Sequence, residues 1–352
     1  MSLTEQLSCD ARGRYWDRER DSELICLAVR DETDDIRTFT FAGAEGQYFA
    51  FRPGQYFTFT IPGDAEDTRC YSISSSALRP RTMAVTVKRV VGGRASNWLH
   101  DHLKPGDRLH ALGPLGTFCL PPVLPEKLLL LSGGSGITPM MAIARTLADA
   151  AQAPDLVFLH AARTHGDLAF REDLQGLARA MPGFRLVLLP ETPAPGHSGL
   201  VGRISPAVLA AAVPDLPERS VMCCGPAPFM AAARAICRDA GVPDERYVEE
   251  SFDLAAAPDA APAAATGFSA AFSRQGKTIT VGAGQSILAA ARAQGIVLPS
   301  SCANGLCGTC KSRLVSGQVA MQHNGGIRQR EIDAGLILPC CATPLSDLVI
   351  ER

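Results

Sequence analysis

Short runs of alternating apolar and polar residues fill the first third of the chain. Residues 24–29, 37–41, 55–61, 70–74, 83–90 and 108–112 carry β-branched or aromatic positions at a period near two, with Gly, Pro or Asp between the runs. Six such strands predict a small antiparallel β-barrel over 23–125, with one helix near 96–103. From 126 to 253 the texture changes. Continuous apolar runs at 127–131, 156–160, 185–189 and 221–224 are each followed by a helix-compatible stretch, at 138–150, 171–180, 206–213 and 226–240, and 247–252 reads as a closing strand. Strands apolar on both faces alternating with helices predict a parallel α/β domain. Residues 254–266, LAAAPDAAPAAAT, hold Pro258 and Pro262, which oppose a continuous helix and mark a semi-stiff linker. The third unit, 267–352, opens with strands at 268–273 and 277–281 around Gln275-Gly276. A helix at 286–294 follows, with Ser286 as N-cap and Gly295 as terminator, and then a Cys/Gly-rich loop. Residues 1–22, charged and aperiodic, read as an N-terminal extension.

Composition narrows the class. Of 352 residues, 46% are hydrophobic, enough for real cores, and the net charge of -2 leaves no basic excess for a nucleic-acid partner. No apolar run approaches the roughly 18 residues of a membrane span. The first residues lack the apolar core of a secretory signal, so a cytoplasmic protein is expected. Twelve cysteines in that setting point to metal or redox chemistry more than to a disulfide framework.

Four of those cysteines stand out. Cys302-x4-Cys307-x2-Cys310, with Cys340 downstream, has the spacing of a plant-type 2Fe–2S site. Thiolates from one tight loop and one distant segment must converge, and Gly305 and Gly308 let the loop turn so that N–H groups face sulfur. Structural zinc usually takes two short-spaced cysteine pairs, and only one is present here. The adjacent Cys341 is expected on the opposite strand face, as packing, although spacing alone leaves the choice between Cys340 and Cys341 open. The stretches LPSSCANGLCGTCK (298–311) and LPCCATP (338–344) resemble the plant-type ferredoxin family across 268–352. The resemblance implies a β-grasp domain and favours Cys340 as the fourth ligand, since it lies four residues before a proline.

A second motif joins a strand to a helix. Ser132-Gly133-Gly134-Ser135-Gly136-Ile137-Thr138-Pro139 is a phosphate-cradle pattern, with free N–H groups and the helix dipole facing an anion. It departs from G-x-G-x-x-G at Pro139, and a sharp strand–helix turn also needs glycine without any ligand. Cys223-Cys224-Gly225-Pro226-Ala227-Pro228-Phe229-Met230 forms another such turn, and both lie beyond the carboxyl ends of strands, where open α/β sheets bind ligands. The two turns resemble the nicotinamide-binding domain of the ferredoxin–NADP reductase superfamily. By that resemblance Gly133, Gly134, Gly136 and Thr138 hold the dinucleotide phosphates, and Cys224 lies near the nicotinamide, with Gly225 and Pro226 shaping the pocket. Arg163, read as two residues beyond its strand, reaches the adenosine ribose or a 2′-phosphate, or is simply a surface arginine.

Arg69-Cys70-Tyr71-Ser72 lies on a predicted strand that puts Arg69 and Tyr71 on one face, a cation beside a flat aromatic. Gly92-Gly93-Arg94-Ala95-Ser96-Asn97-Trp98-Leu99 places glycines before a helix start, where Ser96 can cap and N–H groups can take phosphate, although a plain hairpin and cap would look the same. Arg69 to Ser75, with Pro53-Gly54-Gln55-Tyr56 upstream, is similar to the superfamily's flavin motif. The resemblance implies that Arg69 binds the pyrophosphate, Tyr71 packs on the isoalloxazine, Ser72 approaches N5 and Ser75 completes the motif. Gly93, Arg94, Ala95 and Ser96 then suggest FAD in preference to FMN. Lys88 lies nearby or is a solvated strand residue. Glu249-Glu250-Ser251-Phe252 resembles the end of the nucleotide domain, with Glu250 and Phe252 facing the flavin edge.

The order flavin, nicotinamide, cluster resembles reductase components of Rieske-type oxygenases, of the glycine betaine monooxygenase type, and reductases of hybrid-cluster proteins. It implies an NADH-dependent oxidoreductase, with NADPH as the alternative donor, that passes electrons through flavin and cluster to a separate acceptor protein. Ser72, Cys224 and Glu250 are its expected catalytic residues. The leading acceptor is a Rieske-type oxygenase that demethylates a quaternary amine, ahead of a hybrid-cluster protein. A non-enzymatic redox sensor on the same scaffold is disfavoured by the intact motifs.

Overall fold

The computed structural model describes residues 14–62, 68–252, 267–300 and 303–352, so the segment 254–266 and the predicted ligand Cys302 lie outside the described residues. In the first unit β1 (Glu23–Thr33), β2 (Ile36–Gly43), β3 (Tyr56–Thr60), β4 (Thr68–Ser72), β5 (Met83–Lys88) and β6 (Arg108–Leu115) form one antiparallel sheet in the order β4-β3-β6-β1-β2-β5. An isolated antiparallel bridge, Ile73 to Val85, ties the chain just past β4 to β5 at the other end of that order. Phe39, Phe41, Phe57 and Phe59 fill the interior, and α1 (Arg94–His102) packs Ala95 and Leu99 onto it.

Two boundaries differ from the sequence reading. β1 continues four residues past its apolar stretch, because Arg30, Asp31 and Thr33 pair by backbone with β2 although Arg30 and Asp31 turn their side chains to solvent. β6 runs through Gly113-Pro114, which reads as a break. Gly113 is tolerated there because a Cβ would lie 2.7 Å from the Phe57 ring. Residues 14–22 pack on this sheet: Trp16 is buried in its core, and its indole N–H donates to Gly113 O at 2.9 Å. A lone tryptophan in a charged stretch leaves no periodic signal.

The second unit follows its sequence pattern closely. β7 (Lys127–Gly133), β8 (Asp155–Thr164), β9 (Phe184–Thr192), β10 (Ser220–Cys224) and β11 (Tyr247–Glu250) are all parallel, in the order β11-β10-β7-β8-β9. The crossovers carry α2 (Ile137–Asp149), α3 (Arg171–Ala180), α4 (Pro206–Ala212) and α5 (Ala227–Asp239). The leucine run of β7 serves both faces: Leu128 and Leu130 pack with α2 and α3, Leu129 and Leu131 with α4 and α5. The chain leaves β7 toward β8 on one side and returns to β10 on the other. The crevice beyond the carboxyl ends of β7 and β10 is therefore a topological switch point, where α/β sheets bind ligands.

The third unit is a mixed sheet of β12 (Gly267–Phe272), β13 (Lys277–Gly282), β14 (Ser312–Ser316), β16 (Leu336–Ile337) and β18 (Leu348–Glu351), ordered β13-β12-β18-β14-β16 with β12 and β18 parallel. β15 (Val319–Met321) pairs with β17 (Ala342–Pro344). α6 (Ile287–Ala293) is capped by Ser286, whose Oγ accepts the Ala289 N–H at 3.2 Å, and α7 (Gln329–Asp333) precedes β16. Gly276, at φ 62, makes the β12–β13 turn.

Candidate functional site

The turns after β7 and β10 touch each other. A Cβ on Gly136 would fall 2.2 Å from Cys224 O, and one on Gly225 would fall 3.1 Å from Gly133 N and 2.8 Å from the Phe229 ring. These glycines are needed for turn-on-turn packing whatever is bound. Gly134 differs: its φ is +52, open space surrounds it, and so its N–H can face an anion. Thr138 is buried, and its hydroxyl donates to Ser135 O at 3.1 Å, shaping the loop from within. Beneath the loop Ser132 Oγ lies 3.0 Å from His160 Nδ1, and burial lowers that imidazole to about 4, so it is neutral. Pro226 precedes α5 at its N-cap position.

Parallel pairing sets Glu250 of β11 beside Cys224 of β10, and Ser72 of β4 lies close enough to the Glu250 carboxyl to favour its charged form. Ser72, Cys224 and Glu250, far apart in sequence, are thereby brought together. Burial raises the Glu250 carboxyl to about 8 against the pull of Ser72, and its Oε2 has no hydrogen-bond partner among the described residues. Burial also raises the Cys224 thiol, with Glu250 adding to the effect, so Cys224 is a neutral wall residue and not a thiolate nucleophile. Thr68 to Tyr71 of β4 stay only partly covered. Tyr71 leans on the Phe59 ring, with centroids 5.9 Å apart, and Phe252 is exposed. An orphaned buried carboxyl oxygen beside a half-open strand carrying Arg69, Tyr71 and Ser72 fits a flavin.

Several predicted residues also make contacts within the chain. α1 starts at Arg94 with Gly93 in the cap position; Ser96 sits inside the first turn, and its Oγ accepts the Val90 N–H at 3.1 Å. Ser96 thus closes the 90–96 turn instead of capping the helix, because the helix starts two residues early. Ser75 Oγ accepts the Ala84 N–H at 3.0 Å, and Lys88 pairs with Asp35 at 3.1 Å. β8 extends to Thr164, so Arg163 is an exposed residue of the strand itself and does not lie beyond it.

In the third unit Cys307, Cys310 and Cys340 are buried together, with the Cys310 and Cys340 sulfurs 3.2 Å apart. The Gly305 N–H points at Cys340 Sγ at 3.2 Å, and Thr309 Oγ1 lies 3.1 Å from Cys307 Sγ. Hydrogen bonds from the Cys310 and Cys341 thiols and the Gly305 N–H favour a thiolate at Cys340. Gly305 and Gly308, at φ 69 and 74, pass under a second loop: Gly305 O accepts the N–H groups of Asn324 and Gly326. Cys340 and Cys341 lie in a turn ahead of β17, so strand alternation does not separate them, contrary to the sequence reading; the Gly305 N–H singles out Cys340. Among the described residues no three His, Cys, Asp or Glu side chains converge on one ion. A two-iron cluster shares its thiolates between two metals, and an all-sulfur set fits it.

The first and third units also meet. Leu306 packs on Tyr56, Leu112 and Leu115. A Cβ on Gly325 would fall 2.6 Å from Leu115 Cδ2, and Arg328 Nη2 donates to Asp21 O at 3.0 Å. Thr68 of β4 hydrogen-bonds both Cys307 O, at 3.0 Å, and Thr309 Oγ1, at 2.9 Å. A cavity of about 730 Å³ lies along this contact, lined by Gln55, Leu115, Asn304, His323 and Cys340 among others. Sequence reasoning found none of these contacts, since pairs some 240 positions apart leave no local pattern.

Comparisons with known proteins agree with this arrangement. Residues 26–119 match the oxidoreductase FAD-binding domain family, 130–235 the oxidoreductase NAD-binding domain family, and 271–345 the 2Fe-2S iron-sulfur cluster binding domain family. The chain is 39% identical over 343 residues to the glycine betaine monooxygenase reductase subunit of Pseudomonas aeruginosa, covering 93% of this chain and 94% of that protein. It is 37% identical over 337 residues to the stachydrine N-demethylase reductase subunit of Rhizobium meliloti, covering 93% and 96%. Among solved structures it resembles phthalate dioxygenase reductase, with a TM-score of 0.59 and 25% identity over 94% of this chain and 97% of that one.

Proposed function

We infer the function from one premise: this chain belongs to the family of oxygenase reductase components that join FAD-binding, NAD-binding and 2Fe–2S domains. It is an NAD(P)H-dependent electron-transfer reductase that serves a separate oxygenase. When bound, the three groups supply the redox chemistry: nicotinamide gives a hydride, flavin exchanges electrons in pairs or singly, and the cluster exchanges them singly. The observation that carries the reading is the meeting of β4, with Arg69, Tyr71 and Ser72, against the turn that holds Cys307 and Cys310.

The chain's own residues then orient and insulate. Arg69 balances the flavin pyrophosphate, Tyr71 covers the ring face, and Ser72 with the protonated Glu250 lines its reactive edge. Buried, neutral Cys224 keeps water from the nicotinamide. Gly133 and Gly136 hold the two turns together, while the Gly134 N–H faces phosphate. Cys302, Cys307, Cys310 and Cys340 ligate the cluster. We read the units as 23–125, 126–253 and 267–352. The first sheet would close into a barrel through the Ile73–Val85 bridge, and the third unit would be a β-grasp ferredoxin.

We propose NADH as the electron donor. The acceptor we propose is a Rieske-type oxygenase that removes an N-methyl group from a quaternary amine. That fits relatives named for glycine betaine and stachydrine. Free cysteines suit a reducing compartment, and we place the protein in the cytoplasm.

The test is NADH-driven cytochrome reduction by wild type and Cys307→Ser, with iron, labile sulfide and flavin assayed in both. Loss of the cluster with flavin retained, and a rate at least tenfold lower, is expected. A wild-type rate in the variant would take the cluster out of the path to that acceptor. Addition of candidate oxygenases with betaine substrates should give NADH-dependent formaldehyde.

A further inference from the structure

One face of β4 carries Thr68, Cys70 and Ser72. Ser72 serves the flavin site, while Thr68 reaches into the cluster turn. The hydrogen-bond geometry there favours one arrangement once Cys307 binds metal. A metal-bound thiolate carries no proton and can only accept. Thr309 Oγ1 lies 3.1 Å from that sulfur, 2.9 Å from Thr68 Oγ1 and 3.2 Å from Thr68 O. Its single proton has a charged acceptor in Cys307 Sγ, and charged acceptors make the stronger bonds. The Thr68 carbonyl does not need that proton, because Arg69 Nη1 already donates to it at 2.8 Å. Thr309 Oγ1 and Cys307 O are then left as acceptors, and the Thr68 hydroxyl is within reach of both.

We propose that Thr68 and Thr309 form a two-hydroxyl relay across the domain boundary, Thr68 O–H to Thr309 Oγ1 and Thr309 O–H to Cys307 Sγ, that strengthens the cluster's hold on an added electron while the domains are docked. This rests on the 2Fe–2S reading of the third unit. Thr309 and Cys307 are both buried, so water does not replace either partner. One electron arrives, no covalent bond changes and no proton moves; the added negative charge on the sulfur tightens a hydrogen bond already aimed at it. Thr68 acts through Thr309 as a positioning residue, fixing a rotor that would otherwise have several acceptors and polarising it. A cluster domain lifted from β4 loses the Thr68 donor and becomes the stronger reductant. The electron is thus held better in the docked receiving position than in the released, delivering one.

The test is a redox titration of the full-length holoprotein, following the electron paramagnetic resonance of the reduced cluster, in wild type, Thr309→Val, Thr309→Ser, Thr68→Val and the Thr68→Val/Thr309→Val double variant. Thr309→Val should weaken reduction about tenfold, about 59 mV for one electron, with a changed spectrum, and Thr309→Ser should restore both. Thr68→Val should shift the potential in the same direction by less, and should add nothing in the Thr309→Val background. Thr68 lies outside the cluster loop, so its variant decides the matter even where Thr309→Val assembles its cluster poorly. An unchanged potential in Thr68→Val, or equal Thr68→Val shifts in both backgrounds, would overturn the relay while leaving the reductase reading intact. A wild-type holoprotein with no 2Fe–2S signal would overturn that reading, and the relay with it.

Discussion

At the scale of single residues, the Glu250 carboxyl shows how the fold rewrites local chemistry. Its ordinary value of 4.5 is raised to about 8 by burial. The sign of the consequence follows. Below about 4.5 folded and unfolded chains are both protonated; between about 4.5 and 8 only the unfolded chain releases its proton, so stability falls with pH, and above 8 the full cost persists. The flavin-free protein should therefore lose stability from pH 5 to pH 9 through this group, and Glu250→Gln should flatten that part of the slope in thermal unfolding. A wild-type-minus-variant difference that is constant with pH would remove the assignment. The glycines give a second contrast. Gly136 has an ordinary φ of -63, so Gly136→Ala costs nothing in backbone strain, but its methyl meets Cys224 O at 2.2 Å. It should part the two turns and weaken NADH binding at least tenfold by titration. Gly134→Ala meets open space and should cost only about 1 kcal/mol of left-handed strain.

At the scale of elements, success and failure of the sequence reading have separate causes. The strands of the α/β unit announce themselves because both faces are buried, which forces apolar residues at the consecutive positions Leu128 to Leu131 of β7. The end of β1 is invisible because its backbone pairs where Arg30 and Asp31 meet solvent, and the end of β6 because Gly113-Pro114 reads as a break. A buried charge pins the same sheet. Arg219, 1% exposed, pairs with Asp215 and Asp155 at 2.8 and 2.9 Å and donates to the carbonyls of Leu128 and Asp155, tying β7 and β8 to the entry of β10. Arg219→Ala empties a buried site and takes their donor from the carbonyls of Leu128 and Asp155, while the Asp155 carboxylate stays half exposed to water; it should cost about 1–3 kcal/mol in denaturant unfolding of the nucleotide unit, with the cluster spectrum unchanged. A cost below about 1 kcal/mol would mean that water or Lys127, itself 2.9 Å from Asp215, takes over its role.

At the scale of the whole molecule, the described residues of the flavin and cluster units meet at Leu306 on its apolar patch, Gly325 against Leu115, Arg328 on Asp21 O, and Thr68 on the cluster turn. The chain between the units keeps their effective concentration high. A protease site placed within 254–266 and cleaved after assembly should make NADH-driven cytochrome reduction depend on protein concentration, where the intact chain gives a constant specific rate. A cleaved protein whose specific rate is unaffected by dilution would show that the interface holds by itself. The sequence by itself determined the three units and their chemistry, because ligand spacing, glycine turns and hydrophobic period are local properties written within tens of residues. Only the tertiary structure decided that Ser72, Cys224 and Glu250 share one site, that Ser96 closes a turn, and that Thr68 reaches Cys307. Each of these depends on side chains from distant segments being buried against one another, and burial is a property of the packed molecule.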